Sequence, residues 1–234
     1  MDEIVEDGFG FGLETDSLSD SMGASLPNRS LCLITGLAGS GKSLVSQRLT
    51  FGLLMNGSKV VAVTTELTTR GWIEQMNSLG YFVADYIAKG RLVVISRFGT
   101  IAEPIPGIGL NDVLDSEVMD EADFIIIDSA SSIMEMEIPA DESFATLQKL
   151  RKFSSSGHSL LLTLDPTGTN AGLLQDLRSS AEVVLDMSAT LIGGTLKRDL
   201  QVTRFLRAAG PVQTNVSWRV EPGMGFIVDI TAVS

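Results

Sequence analysis

Residues 31–34, 59–63, 124–127 and 159–164 form nearly continuous apolar runs, without the alternation of apolar and polar positions that marks a half-exposed strand. Runs of this kind read as strands buried on both faces, in a parallel sheet covered on both sides. Between them the period changes. Val45, Leu49 and Leu53 fall at helical spacing after the first run, and Trp72, Ile73, Met76 and Leu79 continue a helix after the second. A further strand is expected over 91–96, a short helix over 111–119 and another helix over 141–153. From residue 181 onward the helical signals stop. Segments 181–187, 194–206, 213–220 and 225–230 read as strands separated by short turns, one at Pro222-Gly223, and predict an antiparallel end to the sheet. The pattern is that of an α/β protein with a mainly parallel central sheet, flanking helices and antiparallel C-terminal strands.

Turn residues divide these elements. Asn56-Gly57-Ser58 ends the first helix, and Leu26-Pro27-Asn28-Arg29-Ser30 leads into the first strand. Pro104, Pro106, Gly107 and Gly109 make 97–110 a long loop and a candidate contact surface, while 129–139, rich in Ser and Met, reads as irregular. The length of 234 residues suits one substantial core, expected over 26–234. Ahead of it, 1–25 reads as an acidic arm: residues 1–26 hold seven acids and no Lys or Arg. Such an arm is either solvated and flexible or docks Phe9 and Phe11 on a neighbouring subunit.

The first apolar run leads straight into Gly36-Leu37-Ala38-Gly39-Ser40-Gly41-Lys42-Ser43, a complete phosphate-binding loop pattern. A phosphate needs several backbone N–H groups converging on it, and Gly36, Gly39 and Gly41 allow so tight a turn. Ser40 lies within this cradle, Lys42 is placed to reach β- and γ-phosphates, and the Ser43 hydroxyl to hold Mg²⁺. The helix N-terminus that follows adds positive potential. Strand, loop and helix occur in the required order, which sets the match apart from a chance glycine-rich turn.

Two acids follow from topology. Glu66 comes directly after the 59–63 strand, at the carboxyl edge where parallel sheets bind ligands, and could deprotonate a water there; the alternative is that it only begins a helix. Asp128 ends the 124–127 run, in a strand expected beside the phosphate loop, and would hold a water of the Mg²⁺ shell. A nucleoside triphosphate with Mg²⁺ is the ligand these positions imply, and they leave its base open. Lys149, Arg151 and Lys152 read as a solvated helix end. His158 has no partner at metal-binding spacing and reads as structural.

Charge narrows the partners. With 17 Lys and Arg against 29 Asp and Glu, the net charge of −12 opposes broad attraction to nucleic acid or anionic membrane. No apolar run approaches the ~20 residues of a spanning helix, and residues 1–20 lack the features of a signal peptide. A soluble, cytoplasmic protein is expected, consistent with the single cysteine, Cys32.

Leu18-Ser19-Asp20, Leu26-Pro27, the glycine loop, Thr64-Thr65-Glu66-Leu67-Thr68-Thr69, Ile127-Asp128-Ser129 and Glu221-Pro222-Gly223-Met224-Gly225 together resemble the RecA/KaiC-like ATPases. Within that group the chain is similar to the archaellum accessory proteins FlaH, also called ArlH. The resemblance implies a single KaiC-type lobe that binds ATP and assembles as a homo-oligomer, up to a hexameric ring. It also implies a place peripheral to the membrane beneath the archaellum motor, with the motor ATPase FlaI, the platform protein FlaJ and a cytosolic scaffold ring as partners.

Two departures from the KaiC pattern bear on turnover. The family's adjacent glutamates become Glu66-Leu67, leaving one candidate base. Its Lys-x-Arg pair, which reaches a neighbouring subunit's nucleotide, becomes Arg204-Phe205-Leu206, so Arg204 keeps the first position and the second is lost. Arginines in that role are worth about 10³ to 10⁵ in rate, so little or slow hydrolysis is expected. Arg207 is a poor substitute if the strand alternation continues through it. Three readings follow: a regulatory ATP-binding ring subunit; a KaiC-like ATPase or autokinase in signalling; and a recombinase-like DNA-binding ATPase, which the acidic charge disfavours.

Overall fold

The structure, a computed structural model, describes residues 8–99, 109–134 and 140–229. It begins with a small antiparallel pair, β1 (Gly8–Gly10) and β2 (Ser25–Pro27), with the short helix α1 (Leu18–Ser21) between them. The main part alternates strands and helices: β3 (Leu31–Thr35), α2 (Lys42–Met55), β4 (Val60–Thr64), α3 (Thr69–Ser78), α4 (Ala84–Ala88) and β5 (Leu92–Ser96). Then come α5 (Leu110–Leu114), β6 (Phe124–Asp128), α6 (Ala140–Ser155), β7 (Ser159–Leu164) and α7 (Ala171–Ser180). Four strands complete the chain: β8 (Val183–Ile192), β9 (Thr195–Phe205), β10 (Asn215–Glu221) and β11 (Gly225–Val228).

The nine-stranded sheet runs β11-β10-β9-β8-β3-β7-β6-β4-β5. From β8 to β5 neighbouring strands are parallel; β9, β10 and β11 are antiparallel. The continuous apolar runs have a direct cause. Cys32, Ile34, Phe124, Ile126 and Leu161 enter one core, whereas Leu31, Leu33, Ile125, Ile127, Leu160 and Leu162 enter a second on the opposite face. Both faces of the sheet are dry, so successive positions must be apolar. The C-terminal strands keep the one-sided alternation: in β10, Val216 and Trp218 are buried between more exposed Asn215, Ser217 and Arg219.

Several elements differ from those expected. The β6 strand does not lie beside the phosphate-loop strand, because β7 separates it from β3. The first of the late strands, β8, pairs parallel with β3 and turns antiparallel only toward β9. Helices α4 and α7 were not expected from the sequence; α4 is only five residues long, and α7 buries just Leu173 and Leu177 among its described residues.

The segment from Gly8 is not a solvated arm. Phe11, Leu18 and Met22 are buried in the first core, and Phe9 meets Phe124 edge-on with ring centroids 5.8 Å apart. Both phenylalanines therefore pack inside their own chain rather than on a neighbour. Residues 1–7, the central part of the 97–110 loop, 135–139 and the chain end after 229 lie outside the described residues. Among the described residues no helix is long and apolar enough to cross a membrane.

Candidate nucleotide-binding site

The turn after β3 reverses the chain through Gly39 at φ +79° and Gly41 at φ +99°, and α2 begins at Lys42. Both angles lie in the left-handed region that glycine enters without strain. Close packing adds a second requirement. A Cβ on Gly41 would lie 2.5 Å from the Trp218 ring, and one on Gly36 would lie 2.7 Å from the Met187 carbonyl oxygen. The loop is thus held against β8 and β10 by its bare Cα atoms. The Lys42 ammonium donates to the Gly36 carbonyl (2.5 Å) and the Leu37 carbonyl (3.0 Å), which keeps its charge at the mouth of the loop.

Asp128 reaches the same place from two strands away. Its carboxylate accepts from Thr163 Oγ1 on β7 (2.6 Å), Ser43 Oγ (3.2 Å) and Ser46 Oγ (3.1 Å) on α2. The intervening strand is what spaces it: Thr163 fills the gap between β6 and the loop helix. Burial pushes the Asp128 carboxyl above the usual carboxylate range, while the three hydroxyl donors and Lys42 pull the other way.

Glu66 is placed by the stitching of β4 to β6. Thr65 N–H donates to the Asp128 carbonyl (2.8 Å), and Ser129 N–H donates to Thr65 Oγ1 (2.9 Å). Helix α3 starts only later, where Thr68 Oγ1 accepts from Gly71 N–H (3.0 Å). Glu66 therefore stands in the strand-to-helix connection, exposed at the pocket rim and outside the helix. Partial burial and repulsion from Asp128 raise its pKa, and Lys42 opposes them. A carboxylate so raised suits proton acceptance from water.

These groups line one cavity of 340 Å³, which Gly39, Gly41, Lys42, Ser43, Glu66 and Asp128 share with Gln75 and Arg198. Gly36 sits behind the loop, and Ser40 is buried with its hydroxyl unpartnered among the described residues. Arg204 is elsewhere. It sits on β9 opposite Val184, toward the start of β8, and donates to the Ser179 carbonyl (2.8 Å). Leu206 is exposed beyond the end of β9. Arg207, also past β9, has φ +57° and bonds Asn28, so strand alternation does not govern where it points.

Arg198, Trp218 and Gln75 escaped the sequence reading. Arg198 lies over the Trp218 ring at 5.6 Å from its centroid, and Trp218 in turn stacks on Phe226 at 4.8 Å. Arg198 Nε and Trp218 Nε1 are buried donors with no partner among the described residues. The one available signal was an arginine and a tryptophan on strands that alternate toward a core. A glycine cradle, a lysine at its mouth, a hydroxyl paired with an acid and spare donors beside the loop all fit a nucleotide polyphosphate with Mg²⁺.

The comparisons with known proteins agree with this geometry. The family model described as the KaiC ATPase matches residues 1–211. The archaeal flagellar ATP-binding protein FlaH of Methanocaldococcus jannaschii is 31% identical over 226 residues, covering 95% of this chain and 96% of the relative. The crystal structure of the flagellar accessory protein FlaH from that organism superposes with a TM-score of 0.85 at 30% identity, over 96% of this chain and 100% of the other. A KaiC-like protein from Pyrococcus horikoshii OT3 shares the fold, with a TM-score of 0.73 at 17% identity over 95% and 98% of the two chains. Matched by that family model over residues 1–211 and 31% identical to a FlaH protein along almost its whole length, the chain belongs to the KaiC-like ATPases and, among them, to the archaeal flagellar (archaellum) ATP-binding proteins FlaH.

Proposed function

We propose that the chain is a regulatory ATP-binding subunit of the archaellum motor, in which bound Mg²⁺-ATP sets ring assembly and contact with the motor ATPase FlaI. The platform protein FlaJ and a cytosolic scaffold ring complete its surroundings at the cytoplasmic side of the membrane. The observation that carries this reading is the convergence of Lys42, Ser43, Asp128 and Glu66 on one cavity. In it Lys42 holds the terminal phosphates, Ser43 and Asp128 hold Mg²⁺, and Glu66 orients and deprotonates water. The metal would supply charge neutralisation at the phosphates.

Slow turnover follows from what is missing. Glu66 has no adjacent second glutamate, and Leu206 replaces the second member of the basic pair that begins at Arg204. A ligand shifts an equilibrium only through its differential affinity for the two states. Ties from Asp128 to both α2 and β7, and the place of Glu66 in the connection leading to α3, give the nucleotide a means of favouring one arrangement of these elements.

Multiple-turnover hydrolysis and equilibrium ATP binding, measured on the wild type, Lys42→Ala and Glu66→Gln, test the proposal. It predicts binding lost in Lys42→Ala by at least about a hundredfold, kept in Glu66→Gln, and wild-type turnover well below the median of about 10 s⁻¹ for enzymes. Fast turnover abolished by both changes would favour the KaiC-like ATPase instead.

A further inference from the structure

Asp165 follows the last residue of β7, between the ends of β3 and β6. Leu164 pairs with Thr35, and the Leu164 carbonyl accepts from Gly36 N–H (3.2 Å), so Asp165 emerges against the start of the phosphate loop. Its position is fixed on both sides. Asp165 N–H donates to Ser131 Oγ (2.7 Å), and its carboxylate accepts from Thr167 N–H (2.8 Å) and Thr167 Oγ1 (2.6 Å). The Thr167 bonds, the Lys42 charge and the Ala38 amide hold this carboxyl below the usual range against the opposing effect of burial. Asp165 in turn helps to raise Glu66.

Glu66 and Asp128 line the pocket, and Asp165 adds a third carboxylate near Lys42 from behind the Ala38 wall. The nucleotide-binding reading gives work to two of them, as base and as metal holder. That reading assigns Asp165 no part, and Thr167 stabilises its anionic form. Of the other cations near the loop, Arg198 lies by Gly41 and Trp218, on the wall away from β7, and Arg178, at Thr35, is paired with Asp186.

We infer that Asp165 is a specificity-determining residue, a fixed negative charge beside Ala38 that penalises a γ-phosphate and narrows the preference for nucleoside triphosphate over diphosphate. This rests on the nucleotide-binding reading above. A subunit whose triphosphate state carries such a penalty changes occupancy with the ratio of the two nucleotides, as a sensor needs.

Calorimetric titration of the full chain with AMP-PNP and with ADP, at fixed Mg²⁺ and low salt, tests the inference. Wild type, Asp165→Asn, which keeps an acceptor for Thr167, and Asp165→Glu, which keeps the charge, are compared. Asp165→Asn is expected to tighten AMP-PNP binding by about tenfold and ADP binding by less than about threefold. Asp165→Glu should keep the wild-type ratio, and about 1 M KCl should shrink the difference. An unchanged ratio in Asp165→Asn, or equal weakening of both nucleotides as for a mere loop anchor, would overturn the inference while leaving the nucleotide site intact. A wild type that binds neither nucleotide would overturn the site and the inference together.

Discussion

A carboxylate as buried as Asp128 is held in place by three hydroxyl donors and no direct ion pair among the described residues. Hydroxyls rotate, so an amide can replace the carboxylate with little loss of hydrogen bonding. Because burial raises the folded-state pKa above its unfolded value, the folded protein binds the proton more tightly than the unfolded chain does. Stability attributable to Asp128 is then greatest at acidic pH and falls as the pH rises through the raised pKa. Asp128→Asn is accordingly expected to raise the Tm of the nucleotide-free protein at neutral pH by about 2–4 °C. The gain should disappear as the pH is lowered toward the ordinary carboxylate range, and Mg²⁺-dependent nucleotide binding should be lost. Thermal melts at several pH values read the first part, and a lower Tm at neutral pH would contradict it. Both Asp128 and the loop lysine were legible in the sequence, Asp128 because it ends a buried strand and Lys42 because it belongs to the glycine-loop motif. Thr163 and Ser46, which set where the acid points, were not: a hydroxyl inside a strand or helix carries no local sign of what it will touch.

Helix α2 shows why part of the architecture was hidden. Val45, Leu49 and Leu53 form the expected apolar stripe and are fully buried, but so are Gln47, Arg48 and Thr50 on other faces. The helix is enclosed by the sheet, by the N-terminal segment and by β11, so no polar face marks its orientation. The Arg48 guanidinium grips Asp16 through Nε (2.6 Å) and Nη2 (2.7 Å) and donates to the Phe11 carbonyl (2.8 Å), with both side chains wholly shielded from solvent. An acid-rich opening segment reads as solvated when its arginine partner lies 32 positions away, and this long-range pair overturned the expectation. Removing one member of a buried pair leaves the other uncompensated, at about 3–5 kcal/mol. Arg48→Met should lower the unfolding free energy by that amount in urea titrations, and Arg48→Met with Asp16→Leu should recover much of it. Equal losses in the single and double variants would show that packing, not the unpaired charge, dominates. The turn after β10 was expected at Pro222-Gly223, but its partners, like the place of Trp218, were hidden for a similar reason. Gly223 N–H donates to the Ser78 carbonyl (3.0 Å) and Phe226 N–H to Tyr81 Oη (2.9 Å), contacts that join the far end of the sheet to α3 and α4.

At the scale of the whole molecule, the nucleotide cavity lies at one lip of the sheet, and the β8-β9 hairpin runs past that lip. Its tip exposes Leu191 at 70% and Ile192 at 53%, and Leu196 lies open beside them. Exposed apolar side chains grouped in this way favour contact with another protein surface. They support the proposed assembly, in a chain whose net charge of −12 would otherwise keep copies apart. The fold class and the family were accessible from the sequence because they rest on local runs and short motifs, whereas the strand order at the loop end was not, since β7 intervenes where the Asp128 strand was expected. The hairpin tip was read only as strand and turn, since exposure is a property of the finished fold. The central claim is that nucleotide governs assembly, and sedimentation velocity tests it most directly, with wild type and Lys42→Ala run in Mg²⁺ with AMP-PNP, with ADP and without nucleotide. The account predicts a larger species in the wild type that depends on nucleotide and is absent from Lys42→Ala under all three conditions. The same mass distribution for both proteins in every condition would contradict it.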